Sequence, residues 1–304
     1  MPIRFGYACL NTTMGKEGGF RSMIKKTWLE KGLPHASALG VANSETLCKI
    51  LGWNNRQGVK VYRMSSDMFP WASEYALESL PDWSEIRSNL ERAGKLAKSK
   101  GQRLSFHPGQ FNCLTSQSEK VVSNCIRDLR IHGELMDVIG MPRTREAKIN
   151  IHLGGSFGYR EPAMERWCRN WDLIPASVQS RITIENDDKA SLFSVADIHR
   201  GVYTRTGVPI VYDFHHANFR RSDGMTEEEE LKLAISTWGE VRPCTHYSES
   251  ATKEGKDVNP TAHSNLVYNR IPDYGQEFDC VIEAKMKEIA VFKQLRDWYP
   301  KETA

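Results

Sequence analysis

Eight short apolar runs recur along this 304-residue chain, each bounded by polar or turn-forming residues and most of them separated by stretches with helical spacing. They are IRFGYACL at 3–10, VKVYRM at 59–64, RLSF at 103–106, KINIH at 148–152, RITIE at 181–185, PIVYD at 209–213, RPCTHY at 242–247 and DCVIE at 279–283. Runs of this length and bounding read as buried strands. Between them, helical periodicity covers about 84–100, where Ile86, Leu90, Ala93 and Ala97 share a face, and about 118–139, where Val122, Ile126, Leu129 and Met136 do. Gly101 and Gly140 follow these two segments, where a left-handed closing residue belongs. Further helices are expected at about 163–179, 194–206 and 226–238, with a last one carrying Ile289, Phe292, Leu295 and Tyr299. Asn43 is expected to cap a helix running to about Asn55, after a long polar, glycine-containing connection that reaches about Ala42.

Strands alternating with helices along the whole chain fit a single (β/α)8 TIM barrel, one catalytic domain over 1–304, more simply than an open doubly wound sheet. No glycine-rich loop has the spacing of a Rossmann or P-loop nucleotide site. The apolar fraction of 40% is ample for a large core and argues against disorder. A net charge of +3 permits a polyanionic partner without demanding one. Seven cysteines, odd in number and never close neighbours, argue against a disulfide framework and against a thiolate zinc cluster. No apolar run approaches the length of a membrane span, and the start lacks the shape of a signal peptide, so an intracellular protein of the cytoplasm or nucleoid is expected.

The placement of the polar residues gives the barrel a chemistry. His107, His152, Glu185, Asp213, His246 and Glu283 each stand at or near the carboxyl end of a different expected strand. In a closed parallel barrel those ends converge on one rim, where active sites are built. Bare carboxylates crowded there would repel one another unless cations occupied the rim. The ligand set is all nitrogen and oxygen, which suits Mn, Zn or Fe. Asp213 and His216, three apart, add a chelating pair, and His263 in the loop after the seventh strand can join them. His35, His132 and His199 have no such constellation, and His215 is assigned no role beyond neighbour of a ligand. After His107, Pro108-Gly109 turns the chain and leaves Gln110 and Phe111 on a loop tip, an amide beside an aromatic ring.

Taken together, GYACLN, RMSSDMFPWAS, LSFHPGQF, IHLGG, IENDD, VYDFHHAN, THYSES, AHS and IEAKMKE closely resemble the UV damage endonucleases, from Ile3 to about Lys287. The resemblance implies a metal-dependent phosphodiesterase that nicks damaged double-stranded DNA immediately 5′ to pyrimidine dimers and 6-4 photoproducts, by a metal-activated water, leaving a 3′-hydroxyl. It implies two or three divalent cations per chain, Mn2+ first and Zn2+ or Mg2+ as alternatives. His107, His152 and Glu185 would hold one. Glu185 would bridge to a second, held by Asp213, His246 and Glu283, while His216 and His263 would hold a third. Catalysis would rest on Glu185, His107, His152 and Asp213 through the bound water. Gln110 and Phe111 resemble the family's probe pair, inserted into the gap that an extruded lesion vacates. Tyr7 and Asn11, on the first strand's rim, are the further candidates for DNA contact. A monomer is expected. One departure from the family pattern is Cys244, where a lysine is usual. The rival readings are a metal-dependent sugar isomerase or epimerase on the same barrel, and a damage-binding protein without chemistry.

Overall fold

The computed structural model describes residues 1–109 and 111–299. The Gln110 half of the expected probe pair therefore lies outside the described residues. Eight parallel strands form the centre: β1 (Ile3–Ala8), β2 (Val61–Arg63), β3 (Arg103–Ser105), β4 (Ile149–His152), β5 (Ile182–Glu185), β6 (Ile210–Asp213), β7 (Cys244–Tyr247) and β8 (Phe278–Ile282). Their order is β3-β2-β1-β8-β7-β6-β5-β4, and a parallel bridge between Phe106 and Ile149 joins the two ends of that series. The expected barrel is present, and all eight strands fall where the apolar runs placed them.

Alternation within each strand sorts the side chains. Ile149 and Ile151 of β4, Ile182 and Ile184 of β5 and Ile210 and Tyr212 of β6 are buried in the large apolar layer between strands and helices. The residues between them face into the barrel, as the period of two requires. Helices α1 (Lys25–Gln57), α2 (Trp83–Ser99), α3 (Glu119–Ile139) and α4 (Arg160–Trp171) cover the first half of the sheet. Glu227–Ser236 and Glu288–Trp298 are the longer helices of the second half. Among the described residues, no helix is long and apolar enough to cross a membrane.

Two local expectations fail here. The segment before Ala42 is largely helical, since α1 begins at Lys25 and continues through a break at Gly32, whose φ of 55° is left-handed. Gly32 and Pro34 are breakers only locally: Pro34 opens the second half of α1, where its missing N–H costs nothing. Asn43 consequently caps nothing. It is buried inside α1 and pins two other segments, accepting from the Arg21 N–H and donating to the carbonyls of Arg21 and Met68 at 2.8 Å each. The helix expected over 163–179 also divides, ending at Trp171 and resuming at Ala176 after Pro175.

The end of the barrel opposite the strand carboxyl termini is closed by charge. Asp279 is fully buried on β8 and accepts from Arg4 Nε at 2.6 Å, Arg103 Nη1 at 3.0 Å and Arg242 Nε at 3.1 Å. Arg103 is itself buried and also donates to the carbonyls of Arg145, Glu146 and Arg242.

Candidate metal centre

All six strand-end residues meet at the carboxyl rim. Glu185 is the hub: its Oε2 lies 3.2 Å from His107 Nε2 and 2.9 Å from His246 Nδ1, and its Oε1 lies 3.2 Å from His216 Nδ1. The imidazoles of His107 and His152 are 5.3 Å apart between ring centres, and those of His152 and His216 are 5.5 Å apart. Glu283 faces His246 Nδ1 at 3.2 Å on the other side. Two groups of donors close enough to share a cation emerge, His107 with His152 and Glu185, and Glu185 with Asp213 and His246. Glu185 belongs to both.

Neighbours outside the six strand-end residues orient this cluster. Asp187, two residues past Glu185, holds His152 Nδ1 at 3.1 Å. Its place in IENDD was the available signal. Asn150, one strand over, donates to Glu185 Oε2. Asn186 accepts from the Asp213 N–H at 2.8 Å and donates to the Asp213 carbonyl at 3.0 Å, tying the end of β6 to that of β5. Buried Lys148 lies 3.2 Å from His246 Nε2, and Arg63 forms an ion pair with Glu283. Such outer contacts set which ring nitrogen faces the centre.

His216 and His263 flank the two triads. His216 keeps Asp213 Oδ2 at 3.9 Å, and His263 lies 4.0 Å from Glu283 Oε2 with its Nδ1 against the Ser248 hydroxyl at 2.6 Å. Among the described residues they do not form a third group of three donors with each other. His215 hydrogen-bonds the Thr261 carbonyl at 3.0 Å, and His132 packs edge-on against Phe106 in the barrel wall.

The residues fit a cation on their own chemistry. Asp213 Oδ2 is closed off from solvent and has no hydrogen-bond partner, which is costly for a buried carboxylate oxygen, and His246 Nδ1 is enclosed between the carboxylates of Glu185 and Glu283 at 2.9 and 3.2 Å. The electrostatics agree. Burial pushes the Asp213 carboxyl up to about 7, reinforced by Glu185 and Glu283 and opposed by His216. Burial lowers His246 to about 4, against the pull of Glu185. For His152 burial acts downward too, but the Glu185 charge and the Asp187 hydrogen bond outweigh it and raise it to about 9. Glu185 is buried yet held well below the usual carboxylate range by His246 and His152.

These shifts predict how cation uptake depends on pH. A raised value means that the folded protein holds that proton more tightly than the unfolded chain does. The stability it contributes is present at low pH and lost as pH rises through the folded value. A bound cation must displace the protons on Asp213 and His152 and weaken the hold of Glu185 and Asp213 on the His216 proton, so adding Mn2+ to metal-free protein should release about two or more protons near pH 6 and fewer as the pH rises through about 9. Potentiometric titration reads this directly, and a release independent of pH would contradict these protonation states.

The first strand does not present its expected DNA contacts. Tyr7 and Asn11 are both fully buried; the Tyr7 hydroxyl donates to Asn54 Oδ1 at 2.7 Å, and Asn11 Nδ2 donates back to that hydroxyl at 2.9 Å. Tyr7 occupies an outward position of β1, facing α1 and not the mouth, so the pair braces the loop after β1. Phe111, by contrast, is 86% exposed at the rim, above a hollow lined by Ser66, Asp67, Asn112 and Arg127. Cys244, at the departure from the family pattern, is buried inside the barrel, and burial pushes its thiol up despite nearby Lys148. Among the described residues it belongs to neither donor group.

Known proteins resemble this chain in sequence and fold. The UV-damage endonuclease of Schizosaccharomyces pombe is 35% identical over 312 residues, covering 96% of this chain and 50% of the relative. The UV DNA damage endonuclease of Bacillus cereus is 31% identical over 316 residues, covering 96% of this chain and 93% of the relative. The chain thus spans about half the length of the fungal relative and nearly all of the bacterial one. The crystal structure of SacUVDE superimposes with a TM-score of 0.84 at 29% identity over 97% of each chain. The 3-keto-D-glucoside 4-epimerase YcjR of E. coli, at a TM-score of 0.57 and 10% identity, shares the fold alone. With residues 3–302 matching the family model described as UV-endonuclease UvdE, the chain belongs to that family.

Proposed function

We propose that this protein is a metal-dependent DNA repair endonuclease that nicks the backbone immediately 5′ to UV photoproducts, leaving a 3′-hydroxyl. The observation that carries the reading is Glu185 shared by two nitrogen-and-oxygen triads at a barrel mouth, with an exposed aromatic tip beside it. His107, His152 and Glu185 would hold one cation and Glu185, Asp213 and His246 a second, with Glu283 beside His246. Mn2+ is the first choice for such donors. Divalent cations in that position supply an activated water and neutralise charge on the phosphate and leaving oxygen.

The chain's own residues do the rest. Asp187 and Lys148 fix the imidazoles of His152 and His246, Asn150 fixes Glu185, and Asn186 fixes the main chain at Asp213. A cation-activated water would be the nucleophile, so the reaction would pass through no covalent intermediate with the protein. Lesion choice falls to the loop after β3. Photoproducts stack and pair poorly and are cheaper to extrude than normal bases, and Phe111 stacks into the space they leave. Base–aromatic stacking is worth ~1–3 kcal/mol, so Phe111→Ala should reduce the preference for irradiated over intact DNA by about 10-fold or more with cation content unchanged. Unchanged discrimination would remove the probe role.

The test is an end-labelled duplex carrying one cyclobutane dimer. A single product ending immediately 5′ to the dimer, ligatable after lesion removal, supports the reading. Cleavage elsewhere, or none in the presence of Mn2+, refutes it. The sugar-epimerase alternative shares the barrel but is disfavoured by the exposed Phe111, which no small-polyol pocket requires.

A further inference from the structure

A second electrostatic feature lies outside the metal centre, on the flank of the barrel between α3 and α4. These helices border a groove of about 720 Å³. Arg127 and Arg130 line it from α3, and Arg166 and Arg169 line it from α4. Each pair is three residues apart, so both members share one face of their helix. Glu119 is the one acid among its described lining residues. Four arginines against one acid concentrate here a surplus as large as the net charge of +3 of the whole chain.

None of the four arginines makes an ion pair among the described residues, whereas Arg87, Arg143, Arg270 and Arg296 each face a carboxylate elsewhere on the surface. Arg166 is also held in place. Its Nε donates to the Thr115 carbonyl at 2.7 Å, its guanidinium lies over the Phe157 ring at 5.5 Å, and its Nη2 is enclosed without a partner. A guanidinium held in place, free of any ion pair among the described residues and with Nη2 unpartnered, has in a concave cationic setting the chemistry of a phosphate site.

Position identifies the source of the phosphates. The upper end of the groove is Ser116 and Gln117, in the loop that leads from the Phe111 tip into α3. Arg127 lines both the groove and the hollow beneath Phe111, so the two meet at that side chain, with the acids Asp67, Glu74 and Asp128 confined to the hollow. A duplex seated with its lesion at the mouth would have a flanking backbone within reach of this track. We propose that the α3–α4 groove binds the phosphates of the DNA beyond the lesion, contributing sequence-independent affinity. This rests on the reading of the mouth as a DNA site.

The test compares wild type with Arg127→Gln/Arg130→Gln/Arg169→Gln, which leaves the brace at Arg166 untouched. Binding of an undamaged duplex of ~30 bp is followed by fluorescence anisotropy across a range of NaCl. Each phosphate that no longer meets a guanidinium should flatten the slope of log affinity against log salt by ~0.9, so the triple variant should be shallower by about 2–3. Its affinity at low salt should fall about 10-fold or more, while a duplex of ~10 bp that cannot reach the flank loses far less. The lysine version of the triple variant should recover most of the slope, which a folding defect would not allow. Wild-type slope and affinity in the glutamine variant would overturn the proposal. So would loss of inorganic tripolyphosphate binding with long-duplex binding intact, which would make this a site for free phosphates. If wild type instead binds irradiated and intact duplexes alike, the lesion reading fails while the slope comparison still decides the groove.

Discussion

Glu185→Ala is expected to reduce incision by about 10³-fold or more, since it removes the one residue common to both donor groups and with it several kcal/mol of stabilisation at the reacting phosphate. Neighbouring substitutions should be milder, because each of His107 and Asp213 belongs to one triad only. The barrel should survive the change. Glu185 carries a buried charge that His246 and His152 offset, and removing it leaves imidazoles able to stay neutral. Cation content measured on the purified variant should fall, whereas affinity for a lesion duplex should persist, because Phe111 and the rim loops are untouched. Equal loss of incision and of lesion binding would contradict the separation of roles between centre and loop.

Asp279→Asn is expected to be strongly destabilising, costing about 3–5 kcal/mol. The carboxylate is fully buried and shared by Arg4, Arg103 and Arg242. Arg4 is partly exposed and can turn to solvent, so its loss matters little. Arg103 cannot, with its side chain only 1% exposed, and an amide at position 279 would leave this buried cation only the partly exposed Glu146 carboxylate at 4.0 Å. For a chain of this size the midpoint should fall by roughly 5–8 °C. Thermal unfolding in chelator isolates this from the metal centre, and a shift below about 2 °C would show that water reaches Arg103.

Much of this architecture was legible along the chain. The eight strands were marked by apolar runs too short for helices, and the six donors by their position at or near the last residue of each run, where a parallel barrel brings chain-distant residues to one rim. Helix α1 was obscured because Gly32 and Pro34 look like the end of order, although the chain only breaks stride there. Tyr7 was placed on the rim by its nearness to the end of β1, but the period of two turns it outward into the helix layer. Lys148, Asn150 and Arg63 reach the centre across strands 35 to 220 positions away from their partners, and no local pattern carries that information. The four arginines of the flank groove were equally invisible, since two i, i+3 pairs on separate helices are ordinary surface features until the fold sets them face to face.

The central claim is that chain-distant acids and imidazoles gather cations at one mouth to cut damaged DNA. Incision of irradiated against unirradiated supercoiled plasmid, with Mn2+ supplied, chelated and then restored, tests it most directly. The predicted result is conversion of irradiated plasmid alone to the nicked form, abolished by chelator and recovered on adding Mn2+ back. Nicking that persists in chelator, or that proceeds equally on both plasmids, would contradict it.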